Sequence, residues 1–316
     1  MRKILVTGAL GQIGTELVLY LREIYGNLNI IASDIAPKGP EKVLKAGPFE
    51  IVNVLDAKRI NEVVEKYKPD VIIHLAAILS AVGENNPALA WNVNMYGLYN
   101  VLEVAKSNGC AVFTPSSIAA FGPSTPKDKT PQDTIQRPTT MYGVTKVAGE
   151  LLCDYYFYKY GVDTRGVRFP GLISYEALPG GGTTDYAVHI YYEAVKNKKY
   201  TCYIKEGTYM DMMYMPDALN AVVTLLEANP DKLIHRNAFN ITAMSFAPED
   251  IYAEIKKIIP EFTMDYNIDP IKQKIAESWP NSLDDTAARE EWGWKPKYDL
   301  PLMTKDMIEK LSIKLK

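Results

Sequence analysis

Tyr142-Gly143-Val144-Thr145-Lys146 sets a phenol and an ammonium four residues apart, on one face of any helix that carries them. A positive charge beside a phenol favours the phenolate, which can then accept a proton from an alcohol near neutral pH. The interval alone decides little, because it recurs at Tyr155/Lys159, Tyr192/Lys196 and Tyr252/Lys256 in a chain with 21 tyrosines. Context selects Tyr142. It follows a short apolar run, residues 111–114, which leads into Pro115-Ser116-Ser117, and open parallel sheets place their sites at the carboxyl ends of strands. Ser117 is placed to hold a substrate oxygen while Tyr142 takes its proton, and Ser116 reads as a backbone-binding or packing residue. The aromatic run Tyr155-Tyr156-Phe157-Tyr158 reads as a packing surface for another helix, including one of a second subunit.

A second constellation lies near the start of the chain. Gly8-Ala9-Leu10-Gly11-Gln12-Ile13-Gly14 follows an apolar run and opens a helical pattern. Glycines at this spacing permit a tight turn, close approach of a pyrophosphate to the backbone, and tight packing of helix on sheet. The bland alternative is a glycine-rich turn with no ligand. Asp34, just past the second apolar run, can accept hydrogen bonds from adenosine ribose hydroxyls and repel a 2′-phosphate. Ile35, not an arginine, comes next, so NAD is expected rather than NADP. The alternative is an exposed loop aspartate. Asp56 has two readings: it reaches the adenine amino group, or it is the N-cap of a helix over 57–67.

Composition narrows the rest. The 316 residues are 47% hydrophobic and 23% charged, with 35 basic against 38 acidic side chains and a net charge of −3. That balance argues against nucleic acid as the main partner, since neutralising phosphates needs a basic excess. Histidines stand only at 74, 189 and 235 and cysteines only at 110, 153 and 202, so no metal-ligand spacing appears and no metal is expected. The cysteines suit small apolar residues in a reducing compartment. No apolar run reaches 18 residues, and no signal peptide is recognisable at the N-terminus, so no membrane partner and a cytoplasmic location are expected.

Elements must hold these residues in place. Strands are expected over 3–7, 29–33, 50–54, 71–75, 111–114 and 163–168, and helices over 12–25, 57–67, 87–107 and 141–160. Apolar strands alternating with helices imply an α/β fold: a doubly wound parallel sheet of Rossmann type, residues 1–171, with helices on both faces. From 172 to 316 the rhythm changes, and a smaller C-terminal substrate-binding lobe is expected, with some segments returning to the main sheet. Residues 170–184 read as a glycine-rich loop. Helices follow over 186–197, 216–228, 248–259 and 302–315, with strands over 201–204 and 238–241.

Glycine turn, ribose aspartate, serine and Tyr-x-x-x-Lys in this order resemble the extended short-chain dehydrogenase/reductase superfamily, over nearly the whole chain. His74-Leu75-Ala76-Ala77 and Tyr142-Gly143 belong to the same resemblance. It implies that Tyr142 is the catalytic base, that Lys146 also contacts the nicotinamide ribose, and that Ser117 occupies the active-site serine position. For NAD it implies contacts from Gly8, Gly11, Gln12, Ile13, Gly14, Asp34, Asp56, Leu75, Ala76, Ala77, Tyr142, Lys146 and Pro170. It also implies a homodimer, formed by pairing the 87–107 and 141–160 helices across a two-fold axis.

Two positions depart from the nucleotide-sugar epimerases of that superfamily. Pro170 stands where they commonly carry asparagine. Met210 stands where they carry an arginine for the sugar diphosphate, and a methionine cannot pair with one. Gly180-Gly181-Gly182-Thr183-Thr184-Asp185-Tyr186-Ala187 and Ser278-Trp279-Pro280 resemble instead the L-threonine 3-dehydrogenases of the superfamily. That resemblance implies Asp185 for the ammonium of L-threonine, Ser80 and Thr183 for its carboxylate, and Trp279 as a cover that excludes water. The plain alternatives are Asp185 as a helix N-cap, Ser80 as a loop residue and Trp279 as packing. The expected activity is NAD-dependent oxidation of the L-threonine 3-hydroxyl. A nucleotide-sugar epimerase or dehydratase is the alternative, and a non-catalytic NAD-binding sensor a more distant one.

Overall fold

A computed structural model describes residues 2–176 and 182–315 of the chain. Two compact units emerge, and each is interleaved in sequence: 1–120, 139–168 and 219–239 form the first, while 121–138, 169–218 and 240–316 form the second.

The first unit is built on a six-stranded parallel sheet: β1 Ile4–Thr7, β2 Ile30–Asp34, β3 Phe49–Ile51, β4 Val71–His74, β5 Ala111–Phe113 and, past the short β6 Ser116–Ser117, β7 Thr164–Arg165. Their order is β3-β2-β1-β4-β5-β7, and the α/β Rossmann-type arrangement expected from the alternation is present. All four residues of β1 and of β4 are buried, as continuous apolar strands covered on both faces must be. Helices α1 Gln12–Tyr25, α2 Glu41–Lys45, α3 Ala57–Tyr67, α4 Ser80–Asn85, α5 Pro87–Trp91, α6 Gly97–Asn108 and α7 Met141–Tyr160 connect them. Leu5, Ile31, Ile72 and Val112 pack with Ile60, Val63, Val101, Leu102 and Tyr156 in one cluster, so α3, α6 and α7 cover one face. The strand order reverses at β1, which has β2 on one side and β4 on the other. Crevices at such switch points, beyond the carboxyl ends of the strands, are where open α/β sheets bind ligands.

Several expectations are corrected. The strand expected over 163–168 is broken: β7 ends at Arg165, and β8 Val167–Phe169 joins β6 and β12 Phe239–Asn240 in a separate ladder. Gly166 lies at the break, so close to β5 that a Cβ there would be 2.3 Å from the Thr114 carbonyl oxygen. The helix expected over 87–107 contains a π-helical stretch, Asn92–Tyr96, between α5 and α6.

In the second unit, the expected loop over 170–184 contains a strand, β9 Gly171–Ile173. It pairs in parallel with β11 Met210–Tyr214, and β11 pairs antiparallel with β13 Met244–Phe246. The strand expected over 201–204 lies at β10 Lys199–Cys202 and pairs with β14 Thr263–Tyr266. Helix α8 spans Tyr186–Asn197 as expected, and a last helix runs over Leu300–Lys314. Among the described residues no helix is long and apolar enough to cross a membrane.

Candidate active site

The turn after β1 is shaped by close backbone contact. Gly8 has φ of +70°, and a Cβ on it would lie 2.6 Å from the Ala76 nitrogen, so only glycine lets this turn close on the segment after β4. Gly14 is equally confined, its Cβ position being 2.2 Å from the Gly8 carbonyl oxygen. Gly11 differs: its Cβ position meets only the Gly8 oxygen, at 3.4 Å, and otherwise faces open space. Gly11 also stands at the N-cap of α1, without a side chain to satisfy the helix's first amides. Gln12 and Ile13 begin that helix, and Gln12 Nε2 is buried with no hydrogen-bond partner.

Asp34 closes the other side. Its Oδ2 accepts from the Leu10 amide at 2.9 Å and its Oδ1 from the Ile35 amide at 2.8 Å, which ties the aspartate to the glycine turn. Gly8, Gly11, Asp34, Leu75, Ala76 and Ala77 line one cavity of about 630 Å³. Such a volume suits a small organic ligand. Asp56 sits at the N-cap of α3, its Oδ1 accepting from the Arg59 amide at 3.0 Å, and the cavity wall nearby is formed by Val52, Asn53 and Val54. The structure thus realises the capping reading of Asp56.

Tyr142 and Lys146 lie on the first turns of α7. Thr140 caps this helix, its hydroxyl accepting from the Gly143 amide at 3.1 Å, and Glu84 of α4 accepts from the Met141 amide at 2.6 Å. Lys146 Nζ is 5.4 Å from the centre of the Tyr142 ring. That distance does not distinguish the pair, since Lys256 is 5.6 Å from the Tyr252 ring. Surroundings do. Lys146 Nζ donates to the Pro115 carbonyl at 2.7 Å and lines a small cavity with His74, Thr114 and Ser116, at the carboxyl ends of β4 and β5. His74 accepts or donates at Nδ1 with the Thr7 hydroxyl, 2.8 Å away. Burial, and secondarily the Lys146 charge, push its pKa down to about 3, so it carries no charge here.

The two serines differ in their partners, and Ser116, expected to bind backbone or pack, bonds a carboxylate instead. Ser116 is buried and its hydroxyl donates to Glu150. Ser117 is half-buried and accepts from the Ala119 amide at 3.2 Å, which leaves its own proton to donate. Asn94, in the π-helical stretch, carries no signal in the sequence that marks it for this site. Its Oδ1 accepts from the Ile78 amide at 2.8 Å, and its Nδ2 donates to Thr145 at 3.0 Å, bracing the segment after β4 against α7.

The comparisons with known proteins bear on this site. Residues 4–242 match the model of the NAD dependent epimerase/dehydratase family. The chain belongs to that family. It is 58% identical, over 100% of its length and 99% of the relative's, to an uncharacterized epimerase/dehydratase of Staphylococcus saprophyticus. Among solved structures it is similar to an L-threonine dehydrogenase from Clostridium difficile, at 65% identity and TM-score 0.98 over 99% of this chain and 98% of the other. A GalE-like L-threonine dehydrogenase from Cupriavidus necator, in its holo form, is 50% identical with TM-score 0.95 over 98% of this chain and 99% of that one. A UDP-glucose 4-epimerase from Thermotoga maritima, at 22% identity and TM-score 0.86, shares the fold.

NAD is accordingly the cofactor of this epimerase/dehydratase-family chain. The residues fit it: an open face at Gly11, an unpartnered Gln12 amide nitrogen beside it, and a carboxylate at Asp34 on the same cavity.

The remaining expected residues lie as follows. Ser80 is buried at the start of α4. Thr183, Asp185, Trp279 and Pro170 belong to the second unit and are buried. Asp185 stands at the N-cap of α8 but makes no capping bond to that helix; its Oδ2 accepts from the Gly182 amide at 2.5 Å. Gly180 and Gly181 lie outside the described residues. Met210 is fully buried in β11. Among the described residues no group of three or more His, Cys, Asp or Glu side chains is placed to hold a metal.

Proposed function

We propose that the protein oxidises the 3-hydroxyl of L-threonine to 2-amino-3-oxobutyrate. The observation that carries this reading is the likeness, at 65% and 50% identity over nearly the full chain, to solved L-threonine dehydrogenases. Tyr142 removes the hydroxyl proton as the phenolate, which the charge of Lys146 favours, and becomes the phenol, while Ser117 donates to the substrate oxygen. NAD, when bound, supplies the hydride acceptor. Asp185 offers a carboxylate for the substrate ammonium, and Ser80 and Thr183 offer hydroxyls for its carboxylate. Trp279 excludes water. The buried apolar Met210 counts against a nucleotide-sugar substrate, whose diphosphate needs a cation.

The test is direct. Purified protein with NAD and L-threonine should form reduced cofactor, with a chelator present, and Tyr142→Phe should abolish turnover while still binding NAD. No reduction with L-threonine sinks the substrate assignment; turnover by Tyr142→Phe sinks the base. The same reading takes the protein as a cytoplasmic homodimer. Leu151, Tyr155 and Tyr158 of α7 and Tyr99 of α6 are exposed, which supports pairing through these helices. Light scattering of the purified chain tests it, and a monomeric mass removes it.

A further inference from the structure

Helix α7 carries a second charged side chain one turn beyond Lys146. Glu150 is 5% exposed and pairs with Arg168 of β8, also 5% exposed. Arg168 Nη2 donates to Oε2 at 2.8 Å and Nε to Oε1 at 3.0 Å. The Ser116 hydroxyl donates to the same Oε1. Asn237 Nδ2 donates to the Glu150 carbonyl at 3.0 Å and to Asp154 Oδ1 at 2.9 Å, which holds this turn of α7 in place. A buried ion pair is weak evidence of stabilisation, because desolvating both charges offsets much of their attraction. What it does supply is direction, through charge-assisted bonds of fixed geometry.

Those bonds end on successive residues of one strand end. Pro115 offers its carbonyl to Lys146, Ser116 gives its hydroxyl to Glu150, and Ser117 follows with the hydroxyl assigned to the substrate. We propose that the Glu150–Arg168 pair is a positioning device for proton transfer, acting through Ser116 to hold the Pro115 carbonyl and Ser117 hydroxyl in register with Lys146 and Tyr142. The inference rests on the reading of Tyr142, Lys146 and Ser117 as the reacting set. Glu150, Arg168 and Ser116 are buried, so their effect reaches the substrate only through their neighbours. His74 also faces Lys146, but it is uncharged through the working pH range and does not set the pH response.

Ser116→Ala, Ser116→Thr, Glu150→Gln and Tyr142→Phe test the proposal, with L-threonine and NAD as substrates. Ser116→Ala should lower kcat by about ten- to a hundredfold, as a small misplacement near reacting groups does. Its KM for NAD and melting temperature should stay near the parent values. The acid limb of its kcat profile should move to higher pH, because Lys146 is held less firmly beside the phenol. Ser116→Thr keeps the hydroxyl, and the adjoining small cavity that Ser116 lines gives room for the methyl, so activity and pH profile should recover. Glu150→Gln should reproduce the kcat loss; if it fails to fold, the two serine variants decide alone. Parent-like kcat and pH profile in Ser116→Ala overturn the proposal, as does a loss that Ser116→Thr does not restore. Turnover by Tyr142→Phe instead removes the underlying reading, so the two failures are told apart.

Discussion

Gly8 and Ala76 meet at the switch point of the sheet, where a methyl on Gly8 would come 2.6 Å from the Ala76 nitrogen. The contact joins the turns after β1 and β4, and both turns line the cofactor cavity. Gly8→Ala should therefore cost stability as well as binding. Backbone strain at a φ of +70° and the clash together should destabilise the first unit by about 2–4 kcal/mol. Gly11→Ala is the contrast. Its methyl meets only the Gly8 oxygen, at an ordinary 3.4 Å contact, so stability should change by only about 0.5 kcal/mol while NAD affinity falls about tenfold or more. Urea unfolding and NAD titration of both variants separate the two effects; parent-like NAD affinity in Gly11→Ala removes the phosphate assignment at this turn.

Asp34 performs two tasks at once. Its carboxylate oxygens accept from the Leu10 and Ile35 amides, and the same group lines the cavity. Asp34→Ser should lose about 1 kcal/mol of stability through the weakened turn. It should also bind NAD more weakly while NADP loses less, or gains, because the repulsion of a 2′-phosphate is gone. The ratio of the two dissociation constants is the measurement, and an unchanged ratio counts against Asp34 as the discriminating group.

Much of the cofactor half was legible because its signals are local. The glycine spacing, the α1 amphipathic pattern and Asp34 each lie within a short stretch whose backbone demands are visible in residue type. Glu150, Arg168, Asn237 and Asn94 carry no such local signal. Their partners come from 16 to 87 residues away, and a polar residue does not announce that it will be buried. One sign was available for Glu150: it follows Lys146 by four residues, as Lys146 follows Tyr142, and so lies on the same helix face. Strand β11 escaped for another reason. Met210-Asp211-Met212-Met213-Tyr214 is buried throughout, so it lacks the alternation that marks a half-exposed strand. Asp56 shows the limit of residue type: a carboxylate before a helix fits a cap and a ligand contact equally, and the Arg59 amide contact establishes the cap alone.

His74 makes the first unit acid-sensitive. Burial lowers its pKa from 6.5 to about 3, with Lys146 adding to the shift. The unfolded chain thus takes up a proton near pH 6.5 that the native state refuses. The contribution is complete above pH 6.5 and is lost as pH falls toward about 3. His74→Asn should be less stable near neutrality, by about 1–3 kcal/mol from lost packing and the Thr7 contact. Its stability should nevertheless decline less steeply than the parent's between pH 6.5 and 4. Urea midpoints across that range give both slopes, and parallel slopes contradict the neutral buried imidazole.

Asp211 has the opposite sign. It is fully buried in β11, its Oδ1 paired with the Thr242 hydroxyl at 2.7 Å and its Oδ2 with the Leu283 amide at 2.8 Å. No cation is among the causes of its shift, and burial raises its pKa from 3.8 to about 8. Native Asp211 therefore keeps its proton where the unfolded chain has released one. Its contribution is complete below pH 3.8 and is lost as pH rises toward about 8, so this group makes the second unit less stable with increasing pH. Asp211→Asn copies the protonated state, since an amide can accept from Leu283 and donate to the Thr242 oxygen. The variant should match the parent within about 1 kcal/mol at pH 5 and exceed it at pH 8.5, with a flatter dependence between. Denaturant midpoints at the two pH values decide the matter: a variant that loses stability equally at both shows that the carboxyl is ionised in the folded protein.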